Sequence, residues 1–306
     1  MEIKSANTRS CKKSLQLSLS VEKMIHFAKL VNPAYNFYKR SGLSEGMPMS
    51  NLNVADRIVT DLVRDGYFVD FVEKLIRINT SGYMGKKYVI WGLNNIITGL
   101  TSEGYSFDKV TGQFFENQSK RISANWGRLQ EGDERRMSVL RMDIAKNSAL
   151  VKNNPRPKIE KAYNDLRKIV SGSVVNRLGR LWSWEGDGAL AAFLFGHTER
   201  MAVYAGIEIL HELFFYNRLY NPLGSPINLR LSVQTGQLRY SHDETDRLKN
   251  ETVKQAVFLE RLAESNSLSV PYNIYISMDQ NSLSLFSPEK ISGSCKYRLY
   301  TMRPEK

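Results

Sequence analysis

The pattern of apolar residues changes near residue 138, and this change limits the folds that the chain can adopt. Residues 21–120 contain apolar positions that recur every three or four residues, as in amphipathic helices. From residue 138 onward, short runs typical of strands alternate with longer helical runs. The sequence therefore predicts a mainly helical N-terminal domain followed by an α+β domain that contains hairpins.

The chain length of 306 residues is enough for two domains, each with a core of its own. We expect a flexible, polar N-terminus over residues 1–20 and the mainly helical domain over 21–120. The polar stretch 121–137 is predicted to be a connector, and residues 138–306 are predicted to form the α+β domain.

Turn residues and apolar periods divide both domains into elements. Helices are predicted near 55–63, 68–76 and 94–100, over 158–175 and 252–263, and from residue 198 onward. Strands are predicted over 87–91, 139–144, 181–184, 189–195, 227–234, 237–240, 272–277, 290–291 and 298–302.

Composition and charge exclude several classes of protein. The net charge of +12 is divided between residues 1–120 (+5) and 121–306 (+7), which indicates a solvated surface, or a general attraction for a small anionic substrate. The longest apolar run, 188–196, is too short to span a bilayer, and residues 1–20 lack the apolar core of a secretion signal. With only two cysteines, no disulfide framework is expected. We therefore expect a cytoplasmic protein with no membrane partner, and the sequence gives little support for nucleic acid.

Two aspartates stand where a metal ion could bind between them. Asp143 ends a predicted strand, and Asp187 lies in the tight turn Glu-Gly-Asp-Gly between two predicted strands. If these strands are neighbours in the sheet, both carboxylates reach one point. Hard oxygen ligands with vacancies left for phosphate oxygens suit Mg²⁺ or Mn²⁺. Taken alone, each motif is more often an ordinary turn or a solvated strand end.

Five short motifs occur together in an order that resembles the class III nucleotidyl cyclase family, the catalytic domain of adenylate and guanylate cyclases. They cover residues 142–150, 184–193, 229–238, 250–260 and 296–299. This resemblance implies a ferredoxin-type βαββαβ sheet domain that cyclises a nucleoside triphosphate with release of pyrophosphate. It also implies a homodimer in which each active site is shared between the two chains.

The resemblance assigns a role to each matching residue. Two Mn²⁺ or Mg²⁺ ions per site would be held by Asp143, Ile144 and Asp187. Backbone N–H groups from Ile144 to Ser148 would cradle the triphosphate, and Lys296 would bind phosphate.

The residues that read the base and stabilise the transition state depart from the family pattern. Adenylate cyclases have Lys and Asp where this chain has Ser183 and Arg247, and Asn and Arg where it has Lys254 and Phe258. Lys254, Arg247 or Arg261 are the candidates for the missing cation. The altered base positions favour a pyrimidine, because a purine edge would be left without its polar partners.

The chain is most similar to the bacterial pyrimidine cyclases of the Pycsar antiphage systems. That resemblance implies that UTP, or else CTP, is cyclised to a second messenger that activates a separate effector protein. Two alternatives stay open at the level of sequence. One is a purine cyclase with unusual base-reading residues, and the other is an inactive, cyclase-like regulator.

Overall fold

The computed structural model describes residues 3–117 and 122–302. The chain divides into two compact units, residues 1–122 and 123–306. Each unit has its own cluster of buried apolar side chains.

The first unit is mainly helical, as predicted. Its helices are α1 (Ser5–Ser18), α2 (Val21–Val31), α3 (Phe37–Ser41), α4 (Asn51–Arg64), α5 (Phe68–Ser81) and α6 (Leu93–Glu103), followed by a hairpin of β1 (Tyr105–Asp108) and β2 (Gln113–Glu116). Helix α4 shows how the sequence forms such an element. Ser50 Oγ accepts a hydrogen bond from Asn53 N–H at the start of the helix, and Val54, Ile58 and Leu62, four residues apart, are buried.

Two predictions for this unit are wrong. Residues 5–18, expected to be a loose terminus, form helix α1, in which Cys11 and Leu15 are completely buried. The polar composition was misleading because two apolar positions are enough to anchor this helix. The segment 87–91, predicted to be a strand, pairs with no strand in the described part of the chain.

The second unit is an α+β domain around one seven-stranded sheet. Its elements are β3 (Glu134–Ile144), α7 (Asn147–Lys152), α8 (Arg156–Asn176), β4 (Arg180–Glu185), β5 (Gly188–Phe193), α9 (Thr198–Leu219), β6 (Leu229–Arg239), α10 (Glu244–Leu248), α11 (Glu251–Leu262), β7 (Ser267–Pro271), α12 (Tyr272–Tyr275), α13 (Gln280–Leu283), β8 (Lys290–Ser292) and β9 (Cys295–Thr301). The strand order is β4-β5-β3-β6-β7-β9-β8, and only the β6–β7 pair is parallel.

The ferredoxin-type βαββαβ arrangement predicted for this unit is confirmed. The elements β3, α8, β4, β5, α9 and β6 follow each other in that pattern, and the four strands lie in the order β4-β5-β3-β6. Strand β7 extends the sheet beside β6, and the β8–β9 hairpin closes that edge.

The two faces of the sheet differ because side chains alternate along each strand. On β3, Leu140 and Met142 belong to the main core, together with buried residues of α8 and α9. Arg141 and Asp143 occupy the alternating positions and therefore face the other side. Helix α11 covers part of that second face, where Ser232 Oγ donates to the Ala256 carbonyl oxygen at 2.6 Å. Polar groups thus collect on the face that α11 shares with the end of β3.

Two details of the predicted strands are wrong. Residues 229–239, expected to be two strands around a turn, form one strand, because β3 pairs with them along its whole length. Gly236 allows this by leaving space for Thr252, whose Oγ1 would lie only 2.3 Å from an added Cβ. Residues 272–275, expected to be a strand, form helix α12 directly after Pro271.

Among the residues that the structure describes, no helix is both long and apolar enough to cross a membrane.

Candidate active site

The backbone of the sheet places Asp143 beside Asp187. Asp143 is paired with Gly188 across the β3–β5 ladder, and Ile144 N–H donates to the Asp187 carbonyl oxygen at 3.2 Å. Gly186 begins the two-residue turn with a φ of 57°, which a type II′ hairpin requires of its first central residue. The two aspartates, 44 residues apart in sequence, therefore meet where β3 ends and the β4–β5 hairpin turns.

A cleft adjoins the two aspartates on the same face of the sheet. Its volume is about 400 Å³, and it is lined by Arg141, Glu185, Leu248, Val253, Lys254, Val257, Phe258 and Arg261. Arg141 connects the cleft to the hairpin because its guanidinium lies over Gly188, where an added Cβ would be 2.6 Å from Nη2. The cleft therefore combines a cationic wall with an apolar floor next to the carboxylates.

An arginine holds the carboxylate of Asp143. Arg230, opposite Asp143 on β6, donates from Nη2 to Asp143 Oδ2. Its Nε lies 3.2 Å from Glu260 Oε1, without the geometry of a hydrogen bond. Arg230 thus lies between two carboxylates, one from the end of β3 and one from α11.

The charges of this cluster shift the pKa values of its members. The hydrogen bond to Asp143 raises the pKa of Arg230, and the charges of Glu260 and Asp187 add to that effect. Burial raises the pKa of Glu260, and the charge of Asp143 raises it further. Three carboxylates and Arg230 therefore interact electrostatically at one point of the second face.

The oxygen ligands fit a divalent cation once the hydrogen bond from Arg230 to Asp143 is broken. Asp143 and Asp187 supply hard carboxylate oxygens from rigid elements, and Ile144 has a backbone carbonyl oxygen beside them. Glu260 Oε1 is buried without a hydrogen bond, so the cluster holds more negative charge than Arg230 alone satisfies. In the described part of the chain, no group of three or more His, Cys, Asp or Glu side chains forms a complete metal site. Substrate oxygens would therefore have to complete the coordination.

The predicted phosphate cradle is only partly open. The N–H groups of Ile144 and Ala145 donate to the carbonyl oxygens of Asp187 and Asn228, at 3.2 and 2.8 Å. Lys146 turns the chain with a φ of 58°, and Asn147 and Ser148 begin helix α7. The N–H groups from Lys146 to Ser148 are therefore the part of the segment left to meet phosphate.

Helix α8 fixes the start of this cradle. The Tyr163 hydroxyl donates to Asn147 Oδ1. Burial raises the pKa of Tyr163, and the charge of Asp187 contributes to the rise, so the phenol lies near both the cradle and the hairpin.

The two predicted base-reading residues are buried. Arg247 is only 3% exposed, and its Nη2 donates to the Trp182 carbonyl oxygen at 2.9 Å. Its guanidinium also lies 5.5 Å from the centre of the Trp182 ring and 5.9 Å from that of Tyr240. Ser183 is buried on β4, next to this cluster. In this conformation neither side chain is open to a ligand, so their role in base recognition stays a prediction.

Lys254 and Phe258, at the predicted transition-state positions, both line the cleft. They stand one helical turn apart on α11, and both side chains are exposed. The ammonium group of Lys254 is 3.6 Å from Glu251, a contact that solvent weakens. Lys254 is therefore free to move toward a bound phosphate, as is Arg261 at the same cleft.

Lys296 lies far from Asp143 in its own chain. Asp143 pairs with Arg230 on β6, Arg230 pairs with Ser267 on β7, and Ser267 pairs with Thr301 on β9. Thr301 is therefore the β9 residue in register with Asp143. Lys296 lies on β9, five residues before Thr301. It is therefore separated from Asp143 by about 14 Å across three strand spacings and about 16 Å along the strand. A lysine side chain cannot bridge that separation within one chain.

Three residues of this site were not found by sequence reasoning: Arg141, Arg230 and Glu260. Strand alternation could have found Arg141, because it stands two positions before Asp143 and so shares its face. Arg230 and Glu260 depend on the pairing of β3 with β6 and on the packing of α11, which no local pattern specifies.

The pairing of Arg230 with Asp143 predicts competition with a cation. Replacing Arg230 by Gln should tighten the binding of Mn²⁺ in the absence of nucleotide by roughly tenfold, because Asp143 is released and one positive charge is removed. Free Mn²⁺ measured by electron paramagnetic resonance tests this directly. Arg239→Gln, at the other end of the same strand, is the matched control and should leave Mn²⁺ affinity unchanged. Equal affinity of the Arg230 variant and the wild type would contradict the competition.

The chain can be compared with solved structures. The catalytic core of a rhodopsin-guanylyl cyclase with converted specificity, in complex with ATPαS, is 15% identical and has a TM-score of 0.48; the match covers 57% of this chain and all of that one. An adenylate/guanylate cyclase/hydrolase from Silicibacter pomeroyi is 18% identical, with a TM-score of 0.46 and coverage of 56% and 100%. The adenylyl cyclase CyaB from P. aeruginosa is 17% identical, with a TM-score of 0.48 and coverage of 57% and 98%. No protein-family model and no curated protein matches the chain. At these values the comparisons assign neither an activity nor a substrate to it.

Proposed function

We propose that this protein is a cytoplasmic nucleotidyl cyclase that converts UTP to 3′,5′-cyclic UMP and pyrophosphate. The observation that carries the proposal is the pairing of Asp143 with Gly188, reinforced by the hydrogen bond from Ile144 to Asp187. This pairing brings the backbones of the two aspartates together, on the sheet that also carries the cleft, and so supports a shared metal site. The order of the five motifs and the βαββαβ sheet support the same activity.

The proposed reaction is an intramolecular phosphoryl transfer. The ribose 3′-oxygen forms a bond to the α-phosphorus, the bond from that phosphorus to the β-phosphate oxygen breaks, and the hydroxyl proton is lost. Such a reaction depends on positioning and charge neutralisation more than on covalent catalysis. Cations held by Asp143, Asp187 and the Ile144 carbonyl oxygen would lower the pKa of the 3′-hydroxyl and neutralise phosphate charge.

The side chains around the cleft have the properties that this reaction needs. Lys254 and Arg261 are exposed cations that can approach the charge developing on the phosphates. The first N–H groups of α7 come just after the end of β3, near the place where the triphosphate would lie. Phe258 and Val257 supply the apolar floor of the cleft, against which a base can pack.

The proposed preference for a pyrimidine rests on the absence of Lys and Asp from the two base-reading positions. In place of the Lys and Asp of adenylate cyclases, this chain has Ser183 and Arg247, both buried. A purine whose ring edge finds no polar partner loses binding energy, whereas a pyrimidine has a smaller and different edge. This supports UTP, or CTP as the second choice, over ATP and GTP.

Incubation of the purified protein with each nucleoside triphosphate and Mn²⁺ tests the proposal. We expect UTP to be cyclised at least roughly tenfold faster than ATP or GTP, the discrimination that one such contact provides. Chromatography of the products identifies each cyclic nucleotide. Preferred cyclisation of ATP or GTP would replace the proposal by a purine cyclase. No cyclic product from any nucleotide would favour the inactive, cyclase-like regulator.

Two parts of the proposal concern partners. We propose that the enzyme acts as a homodimer with shared sites, because Lys296 cannot reach the aspartates of its own chain. We also propose that the cyclic product is a signal in antiviral defence that acts on a separate effector protein, a role supported only by the resemblance to the pyrimidine cyclases.

A further inference from the structure

One face of the first unit combines exposed apolar side chains with lysines that have no acidic partner among the described residues. We call it the basic-apolar surface. It consists of Lys13, Leu17, Lys86, Lys87, Val89 and Trp91. None of these residues has a part in the proposed active site, which lies in the second unit.

The second half of this surface is the segment 87–91. Lys87, Val89 and Trp91 are exposed, whereas Ile90 is buried between the last two. The three exposed side chains therefore face solvent.

Helix α1 completes the surface. Trp91 N–H donates to Ser18 Oγ at 2.9 Å, so the segment 87–91 ends against the last turn of α1. Leu17 is exposed beside Ser18, and Lys13 lies one helical turn earlier on the same side of the helix. The two sequence segments therefore form one continuous surface.

The positive charge of the first unit is concentrated in these segments. Residues 3–21 contain four basic and no acidic residues, and residues 74–102 contain the same numbers. The rest of residues 3–117 has seven basic and ten acidic residues. Among the described residues, Lys12 is the only α1 lysine that forms an ion pair, with Asp56 at 2.7 Å. The net positive charge of the unit is therefore concentrated in the two segments that carry the basic-apolar surface.

We infer that the basic-apolar surface binds an anionic lipid bilayer. Val89, Trp91 and Leu17 are 67%, 64% and 61% exposed, and Met84, in the turn before the segment 87–91, is 84% exposed. Such side chains lose contact with water when they enter the boundary between headgroups and acyl chains, where tryptophan is favoured. The lysines add attraction to anionic headgroups.

The same side chains fit a nucleic acid less well. Lysines would contact phosphate, but the aliphatic groups of Leu17, Val89 and Met84 can neither stack on bases nor form hydrogen bonds with them. The binding inferred here is to the bilayer surface and needs no spanning helix. It departs from the sequence-based expectation that the protein has no membrane partner.

Sedimentation of the full-length protein with vesicles tests the inference. The vesicles consist of phosphatidylcholine alone or of phosphatidylcholine with phosphatidylglycerol. We expect the protein to sediment with the anionic vesicles only, and high salt to weaken its binding. The double substitution Lys87→Gln/Val89→Ser should reduce the affinity for anionic vesicles at least roughly tenfold.

The matched control lies on the same unit. Lys109→Gln/Val110→Ser also removes one exposed lysine and one exposed valine, but in the turn of the β1–β2 hairpin. This variant should bind anionic vesicles as the wild type does, and thermal melting should show both variants folded. The inference is overturned if wild-type protein ignores anionic vesicles or if both double variants lose equal affinity. Binding to RNA or DNA that requires Lys87 and Val89, without vesicle binding, would replace the lipid by a nucleic acid.

Discussion

Replacing Asp143 or Asp187 by Ala is expected to abolish the formation of cyclic nucleotide, with a loss of at least about 100-fold for each variant. Each substitution removes one of the two carboxylates that the β3–β5 pairing sets side by side. The measurement is the rate of cyclic product with UTP and Mn²⁺, compared with that of the wild type.

The fold should survive both substitutions. When Asp143 is removed, Arg230 keeps the carboxylate of Glu260, and the lost pair is partly exposed. We therefore expect a change in the free energy of unfolding of about 1 kcal/mol. Glu134→Ala removes an exposed carboxylate from the opposite end of β3 and should retain full activity. Near-normal activity of the Asp143 or Asp187 variant would rule out the assignment of that residue as a metal ligand.

The positions of the two aspartates were predictable because local patterns specify them. A run of alternating apolar residues ends at Asp143, and glycines flank Asp187 in a turn between two strands. Their proximity needed only that the two strands be neighbours, which the structure confirms. The ferredoxin-type sheet followed from the resemblance.

The network around Asp143 was not predictable in the same way. Arg230 reaches Asp143 because β3 and β6 pair in one register along eleven residues, and a shift by one residue would turn Arg230 to the opposite face. Glu260 joins the network only because α11 packs on that face. Both contacts join residues that are far apart in sequence, so the apolar periodicity of neither segment can predict them.

Burial of Arg247 illustrates a second limit. The predicted role of Arg247 in reading the base requires an accessible guanidinium, whereas here two aromatic rings and a backbone carbonyl group replace water around it. Alignment with a family motif places the residue in the sequence but does not show the direction of its side chain. The separation of Lys296 from Asp143 is likewise a property of strand order and register.

That separation leads to the last prediction, which concerns two inactive variants. Asp187→Ala lacks a metal ligand and Lys296→Ala lacks the proposed phosphate ligand, so each homodimer should be inactive. If sites are shared, a mixed dimer has one site that combines both aspartates of one chain with Lys296 of the other. An equal mixture that exchanges subunits freely should therefore regain about a quarter of wild-type activity.

The matched control is a mixture of Asp143→Ala and Asp187→Ala chains. Both residues belong to the same chain's half of a site, so every site in that mixture lacks one aspartate and no activity should return. Differently tagged chains, purified together, show that mixed dimers have formed in both experiments. Recovery in both mixtures would mean that Asp143 and Asp187 act from different chains, against the pairing of β3 with β5. No recovery in either, with mixed dimers present, would mean that Lys296 serves no shared site, because the aspartates of its own chain are three strand spacings away.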